Sequence, residues 1–131
     1  MVDAEEKPLF WIASCKKDLL AFPADVRDVI GYALDLAQRG GKHPDAKPLK
    51  GYKGSGVLEI VDDYDGDTYR AVYTIRFDEA VYALDAFQKK APKGIATARV
   101  DLDRIKRRLK TVEDMHAEWL KERQGNDKAQ G

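Results

Sequence analysis

The segment 68–77 constrains the fold most strongly, because its side chains alternate as they do along a half-buried β-strand. One set of alternate positions is apolar or aromatic throughout: Tyr69, Ala71, Tyr73, Ile75 and Phe77. Successive side chains of a strand point to opposite faces of a sheet, so this set predicts one buried face. Asp65-Gly66, just before it, favours a tight turn to an apolar strand over 57–61. A β-hairpin is therefore the centre of the predicted fold.

Elements on both sides of the hairpin complete an α+β pattern. The apolar run 8–13 predicts a short strand, and 80–88 predicts the strand that follows the hairpin. Two N-terminal helices are predicted with Pro23 between them, and a long last helix follows. Ser14 and Thr97 are the predicted caps of the first and last helices. We expect a mostly antiparallel sheet with the N-terminal helical pair and the C-terminal helix packed on one face.

Length and composition predict a single domain spanning residues 1–131. A chain of 131 residues matches one domain, and its 44% apolar residues suffice for a core. We expect that core within about 7–120, followed by a flexible polar tail over 121–131. The single cysteine, Cys15, excludes a disulfide scaffold. No apolar run approaches the roughly 20 residues of a membrane span, and no export signal is visible, so we expect a cytoplasmic protein.

Charges cancel over the whole chain but are distributed unevenly along it. The sequence has 23 Lys and Arg against 23 Asp and Glu. Residues 86–110 carry nine basic side chains against two acidic ones, and residues 40–54 carry four against one. Two basic segments in a neutral chain are typical of a polyanion site on one face. The alternative is that these residues only solvate a helix and a loop.

Motifs of metal sites and of nucleophilic catalysis are absent from the sequence. With Gly66 at the sixth position of an EF-hand loop, Val61 occupies the first position, where a carboxylate is required. His43 and His116 have no partner at metal-ligand spacing. Cys15 lies among leucines and is interpreted as a small buried residue rather than a nucleophile. We therefore expect no metal and no cofactor.

Three motifs resemble the RelE/ParE superfamily of type II toxins, and most closely its phage-derived, HigB-like branch. They are G-x-x-E at residues 56–59, Y-R-x-x-Y-T at residues 69–74, and A-F-Q-K-K…K-G-I-A-T at residues 86–97. The order and spacing of the motifs extend the resemblance over most of the chain. Two positions depart from the family pattern: Asp85 replaces a common histidine, and Ala98 replaces a proline.

The resemblance implies a RelE-like fold and a toxin that cleaves messenger RNA on the ribosome without a metal. The partners it implies are the ribosome, mRNA and a cognate antitoxin of helix-turn-helix type, with no membrane. By position it gives the catalytic role to Arg70, Lys89 and Lys90. Lys50, in the glycine-rich loop, is added to this set as the candidate proton acceptor. The resemblance gives RNA binding to a second set, which comprises Lys53, Tyr52, Arg76, Phe87, Gln88 and Lys93.

Cationic side chains suit such a reaction, in which the 2′-OH attacks the neighbouring phosphate. Lys and Arg can stabilise the charged transition state electrostatically, and mutual repulsion in a cluster would lower the pKa of a lysine base. Arg70 is expected to lie off the hydrophobic core, because strand alternation turns it away from Tyr69. The alternative for Arg70 is a scaffold pair with Glu59 across the hairpin.

Two other functions remain open from the sequence. A ParE-like protein would share the fold but poison a topoisomerase by binding alone. A non-catalytic, phage-derived binding domain would also fit the neutral charge, and it would fit Asp85, an acid beside the predicted RNA site.

Overall fold

The sheet and helices follow an α+β order along the chain. The computed structural model describes residues 6–89 and 97–130. Its elements are β1 (Leu9–Trp11), α1 (Cys15–Leu20), α2 (Ala24–Gln38), β2 (Lys47–Pro48), β3 (Val57–Tyr64), β4 (Asp67–Thr74), β5 (Val81–Lys89) and α3 (Arg99–Gln130). The five strands form one mixed sheet in the order β1-β5-β4-β3-β2. The predicted α+β class is confirmed, and the strand not predicted is the two-residue β2.

The β3–β4 hairpin is the centre of the sheet, as the sequence predicts. Its two-residue turn has both residues at positive φ, Asp65 at 51° and Gly66 at 85°. This is the conformation that lets the turn follow the twist of the strands. β4 pairs antiparallel with β3 and β5, β2 pairs antiparallel with β3, and among the described strands only β1 is parallel to its neighbour, β5. The prediction of a mostly antiparallel sheet is therefore confirmed.

Helices cover both faces of the sheet, whereas the sequence predicted helices on one face. Val26, Ile30 and Leu34 of α2 pack in one cluster with Tyr69, Ala71, Tyr73 and Ile75 of the alternating set, whereas Phe77, beyond the end of β4, packs on the opposite face. On the opposite face, α3 contributes a separate cluster of buried side chains: Ile105, Leu109 and Val112. The prediction was wrong because the second set of positions along β4 includes polar residues, which the alternation pattern assigns to solvent.

A β-bulge in β5 turns two successive side chains toward α3. Val72 pairs with Asp85 and the next residue, Tyr73, pairs with Ala83, so Leu84 is an extra residue. Leu84 packs into the α3-side cluster, and Asp85 forms hydrogen bonds with α3. A bulge breaks the strict alternation of faces, which explains why two neighbours share one face.

The helix ends match the sequence prediction at α2 and differ from it at α1 and α3. The N–H of Gly41 donates to Leu36 O at 2.8 Å after Gly40, whose φ is 86°, so glycines end α2 as predicted. Ser14 precedes α1 but makes no side-chain cap; its hydroxyl donates to Asp18. Thr97 is likewise not the cap of α3, which begins at Arg99.

The last helix is longer than expected, since α3 continues to Gln130 where the sequence predicted a flexible tail from residue 121. No helix in the described parts of the chain has the length and apolar character needed to cross a membrane.

The glycine-rich loop before β3 is held close to the end of β4. The N–H of Ile75 donates to Gly56 O at 2.8 Å, and Gly56 has a φ of +73°. A Cβ atom at Gly56 would lie 2.6 Å from the Cβ atom and 2.8 Å from the Cα atom of Arg76. Because the obstructing atoms include backbone, they cannot move aside without shifting the strand.

We expect Gly56→Ala to destabilise the protein by more than the roughly 1–2 kcal/mol that a left-handed conformation costs a residue with a side chain. The matched control is Gly54→Ala, since Gly54 has a φ of +77° but open space around it. Urea unfolding of both variants separates the steric effect from the conformational one. Equal losses of stability would contradict the close packing of this loop on β4.

Candidate functional site

Arg70, the strand arginine that the resemblance makes a phosphate ligand, is buried rather than off the core. Its side chain points away from Tyr69, as alternation predicts, but its relative exposure is only 5%. Its Nη1 atom lies 2.9 Å from Glu59 Oε2 and donates to Thr97 Oγ1 at 3.2 Å. The expectation that Arg70 lies away from the buried interior is therefore wrong. The pair with Glu59 across the hairpin, considered as the alternative, is present.

The contact among Glu59, Arg70 and Thr97 joins three elements. Thr97 Oγ1 also lies 3.3 Å from Glu59 Oε2, so the hydroxyl bridges both charged groups. Thr97 stands two residues before α3, and this engagement explains why its side chain does not cap the helix. A buried ion pair is costly to break from one side, because the remaining charge has lost its water. Arg70 thus braces β3 and β4 against the start of α3.

Asp85 forms a second polar contact between the sheet and α3. Its side chain is only 2% exposed, with Oδ2 accepting from Arg104 Nε at 2.7 Å and Oδ1 accepting from Arg108 Nη1 at 3.0 Å. Arg108 Nη1 also donates to Leu84 O at 2.9 Å. The carboxylate at this position therefore holds two guanidinium groups and is not a free acid beside an RNA site.

Phe87 and Gln88 follow Asp85 along β5 and line a groove beside its edge. The Arg104 guanidinium carbon lies 5.4 Å from the centroid of the half-buried Phe87 ring, and Gln88 is exposed. A guanidinium over an aromatic ring gains from the negative charge of the ring face. The predicted stacking role of Phe87 would therefore compete with Arg104 for that ring.

The predicted lysines at the end of β5 are described only in part. The backbone of Lys89 ends β5 opposite Thr68, near the hairpin turn. Lys90 and Lys93 lie outside the described residues.

The glycine-rich loop places Lys50, Tyr52 and Lys53 on the α3 side of the sheet. Tyr52 is half-buried against the α3-side cluster, and its N–H donates to Leu49 O at 2.8 Å. Leu49 itself is buried in that cluster, with an exposure of 1%. Lys50 and Lys53, between the anchored residues, are exposed. The loop is therefore fixed at its apolar positions and presents its lysines to solvent.

Arg76 connects this loop to α3 rather than standing free. Its Nε donates to Ser55 O at 2.8 Å, and its Nη1 lies 2.9 Å from Glu113 Oε1. The ion pair is partly exposed, so it contributes less than a buried one. Arg76 nevertheless fixes which side of α3 faces the loop.

Lys106 and Lys110 lie on the side of α3 that faces the loop, and neither was in the predicted RNA-binding set. They precede Glu113 by seven and three residues, the spacing that places helical residues on one face, and both are exposed. We call Lys50, Lys53, Lys106 and Lys110, together with Tyr52, the basic surface. Their helical spacing was visible in the sequence, but the loop that they face was not.

Two members of the predicted catalytic set, Lys50 and Arg70, lie at different levels along β3. The N–H of Leu49 donates to Val57 O, whereas Arg70 pairs in register with Val61. Four residues of strand, about 13 Å, separate these two levels of β3. Lys50 therefore belongs to the basic surface, while Arg70 lies nearer the end of the sheet that Lys89 reaches.

Other groups with potential chemistry are structural. Burial raises the pKa of the Cys15 thiol to about 12, so the thiol is inert, in agreement with its interpretation as a buried residue. His116 is also buried, between the Tyr82 hydroxyl at 2.8 Å and the Glu79 carboxylate at 2.9 Å. Within residues 6–89 and 97–130, no group of three or more His, Cys, Asp or Glu could hold a metal ion.

Comparison with known proteins assigns a family of phage origin. Residues 17–110, well over half of the chain, match the model of the phage-derived Gp49-like proteins (DUF891), and the chain belongs to this family. No curated protein and no solved structure matches it.

We expect Arg70→Ala to lower the free energy of unfolding by about 3–5 kcal/mol, because it leaves the Glu59 carboxylate buried without its cation. The double variant Glu59→Leu/Arg70→Met removes both charges and should recover most of that loss. Urea unfolding measures both effects. A loss of only about 0.5 kcal/mol in Arg70→Ala, typical of an exposed side chain, would contradict the bracing role.

Proposed function

We propose that this protein is the toxin of a type II toxin–antitoxin system, an endoribonuclease that cleaves mRNA on the ribosome and inhibits translation. The observation that carries the proposal is the basic surface, to which both basic segments of the neutral chain contribute exposed lysines, with Arg76 linking the end of the loop to α3. Membership of a phage-derived family and the three RelE-like motifs support it.

The basic surface has the groups that such a reaction needs. Exposed lysines can contact successive phosphates, and the Tyr52 ring beside them offers a face for stacking an unpaired base. In this proposal Lys50 is the candidate proton acceptor, and Lys53 stabilises the charged transition state. Repulsion between neighbouring cations favours the neutral form of a lysine, which a base requires.

Arg70 has a positioning role in this proposal. Its charge is matched by Glu59, and the pair supports the strand that leads back to the glycine-rich loop. Catalytic contributions from Lys89 and Lys90 remain part of the proposal.

The ribosome is the partner that presents the RNA. The chain has a formal net charge of zero, so its long-range attraction for free RNA is weak. A message already threaded through the ribosome needs only the local contacts of the basic surface. We therefore expect the nuclease to have little activity on free RNA.

A non-catalytic binding domain is the second candidate, and one observation favours it. The arginine that the resemblance makes a phosphate ligand is buried in an ion pair, which removes one stabiliser of transition-state charge. Such a domain, like a ParE-like topoisomerase poison, would leave mRNA intact. Inhibition of DNA supercoiling by the purified protein would identify the ParE-like function.

The purified protein should cleave mRNA in a translating extract, leave free RNA largely intact, and keep its activity in EDTA. Lys50→Glu/Lys53→Glu should reduce cleavage by about 10²–10³, because it reverses two charges at the phosphate path. The matched control is Lys16→Glu/Lys17→Glu, which reverses two exposed lysines of α1 on the other side of the sheet.

Equal activity of the two double variants would contradict the proposed site but would not contradict the nuclease activity. Intact message at excess wild-type protein would contradict the nuclease activity itself.

Expression of the protein alone should arrest growth, and co-expression with the neighbouring reading frame should relieve the arrest and yield a co-purifying complex. The candidate antitoxin surfaces are the helical pair and the last helix. An acidic antitoxin segment would complement the basic residues of the last helix, which are Arg104, Lys106, Arg107, Arg108 and Lys110. Growth rate and affinity purification measure this. Normal growth of cells that contain the folded protein would contradict the toxin assignment.

A further inference from the structure

The edge of β5 is open beyond the point where β1 ends. β1 pairs only with Val81–Ala83, and no other described strand lies on that side of β5. Residues 84–89 therefore form an edge next to a groove of about 550 Å³. Unpaired edges of this kind are templates for another extended chain.

Side chains already occupy the first backbone groups of this edge. Arg108 donates to Leu84 O at 2.9 Å, and the N–H of Ala86 donates to Asp85 Oδ1 at 3.0 Å. The N–H of Ala86 is thus turned away from β4. Because the N–H and C=O of one strand residue point to the same side, Ala86 O and the backbone groups of Gln88 also face the groove.

The walls of the groove come from two helices. Asp18 of α1 and Phe22, which follows this helix, form one wall, and Asp101 and Arg104 of α3 form the other. A chain extended along β5 would alternate its side chains between these walls. The groove thus defines which side chains such a chain can carry.

Among the described residues, the charge of the groove disfavours a phosphate backbone. Its charged side chains are three carboxylates, Asp18, Asp85 and Asp101, and two guanidinium groups, Arg104 and Arg108. Both arginines are paired, Arg104 with Asp85 and Asp101, and Arg108 with Asp85. The half-buried Asp18 accepts only from the Ser14 hydroxyl among the contacts of the described residues. A carboxylate without a cation favours a basic occupant.

We propose that this groove binds an extended peptide segment of a partner protein, which adds as a strand to residues 86–88 of β5. The segment carries lysine or arginine at the positions facing Asp18 and aliphatic side chains at the alternate positions, facing Phe87 and Arg104. Backbone hydrogen bonds supply the affinity, and the two walls supply the specificity. The groove lies on the opposite side of α3 from the basic surface, so a bound peptide leaves the basic surface accessible.

The probe is a short acetylated peptide of alternating valine and lysine, titrated into ¹⁵N-labelled protein. We expect saturable shifts of the Ala86 and Gln88 amides and slower hydrogen exchange at Gln88. Asp18→Lys should weaken binding about tenfold or more, since it places a cation opposite the peptide lysine. Asp28→Lys is the matched control, because Asp28 is an exposed acid on α2 outside the groove.

N-methylation of alternate peptide residues tests the backbone pairing. The valine–lysine pattern fixes the register, so methylation in one register should abolish binding and methylation in the other should leave it nearly unchanged. Three results would overturn the proposal: no binding of the peptide, equal binding by the Asp18→Lys and control variants, or equal loss in both registers. Shifts of the same amides by oligouridine would also overturn it, by assigning the groove to RNA. These measurements do not depend on nuclease activity.

Discussion

The attachment of α3 to the sheet depends on Asp85, a buried carboxylate between two guanidinium groups. Its two oxygens accept from Arg104 and Arg108 at 2.7 and 3.0 Å. Two cations around one acid, each with a hydrogen bond of good geometry, offset the cost of removing the carboxylate from water. The bulge at Leu84 is what turns this carboxylate toward α3. With α3 fixed at this edge, its apolar stripe covers the sheet. The side of α3 that points away from Asp85 faces the glycine-rich loop.

The position of α3 also determines which basic side chains are accessible to a ligand. Arg70 lies beneath the start of α3, paired with Glu59, whereas Lys50 and Lys53 remain exposed beside it. Burial converts the arginine that the family resemblance emphasises into a structural element. It leaves the exposed lysines of the glycine-rich loop as the accessible part of the site. The two sides of α3 then have different surroundings: Lys106 and Lys110 are exposed on its loop side, whereas the groove on its other side contains Asp18 of α1, whose described side-chain contact is with the Ser14 hydroxyl.

Local patterns predicted the hairpin but could not predict what covers it. The alternation around Tyr69 and the Asp65-Gly66 turn depend on neighbours in sequence, and the structure confirms both. The burial of Arg70 depends on Thr97, twenty-seven residues away, and on a helix whose placement follows from a bulge. The same holds for the basic surface. The sequence shows that Lys106 and Glu113 share one side of a helix, but it does not show the Arg76–Glu113 contact that turns this side toward the loop. Long-range polar contacts therefore set the limit of prediction for this site.

The most direct test of the account is an NMR titration with a short single-stranded RNA at low salt. We expect the amides of the glycine-rich loop between Lys50 and Gly54, and those of α3 between Lys106 and Lys110, to shift together and to return as salt is added. The Arg70 guanidinium signal should stay in place, since its partners are protein groups. Shifts of Arg70 or of the α1–α2 face, with an unchanged loop, would contradict the account.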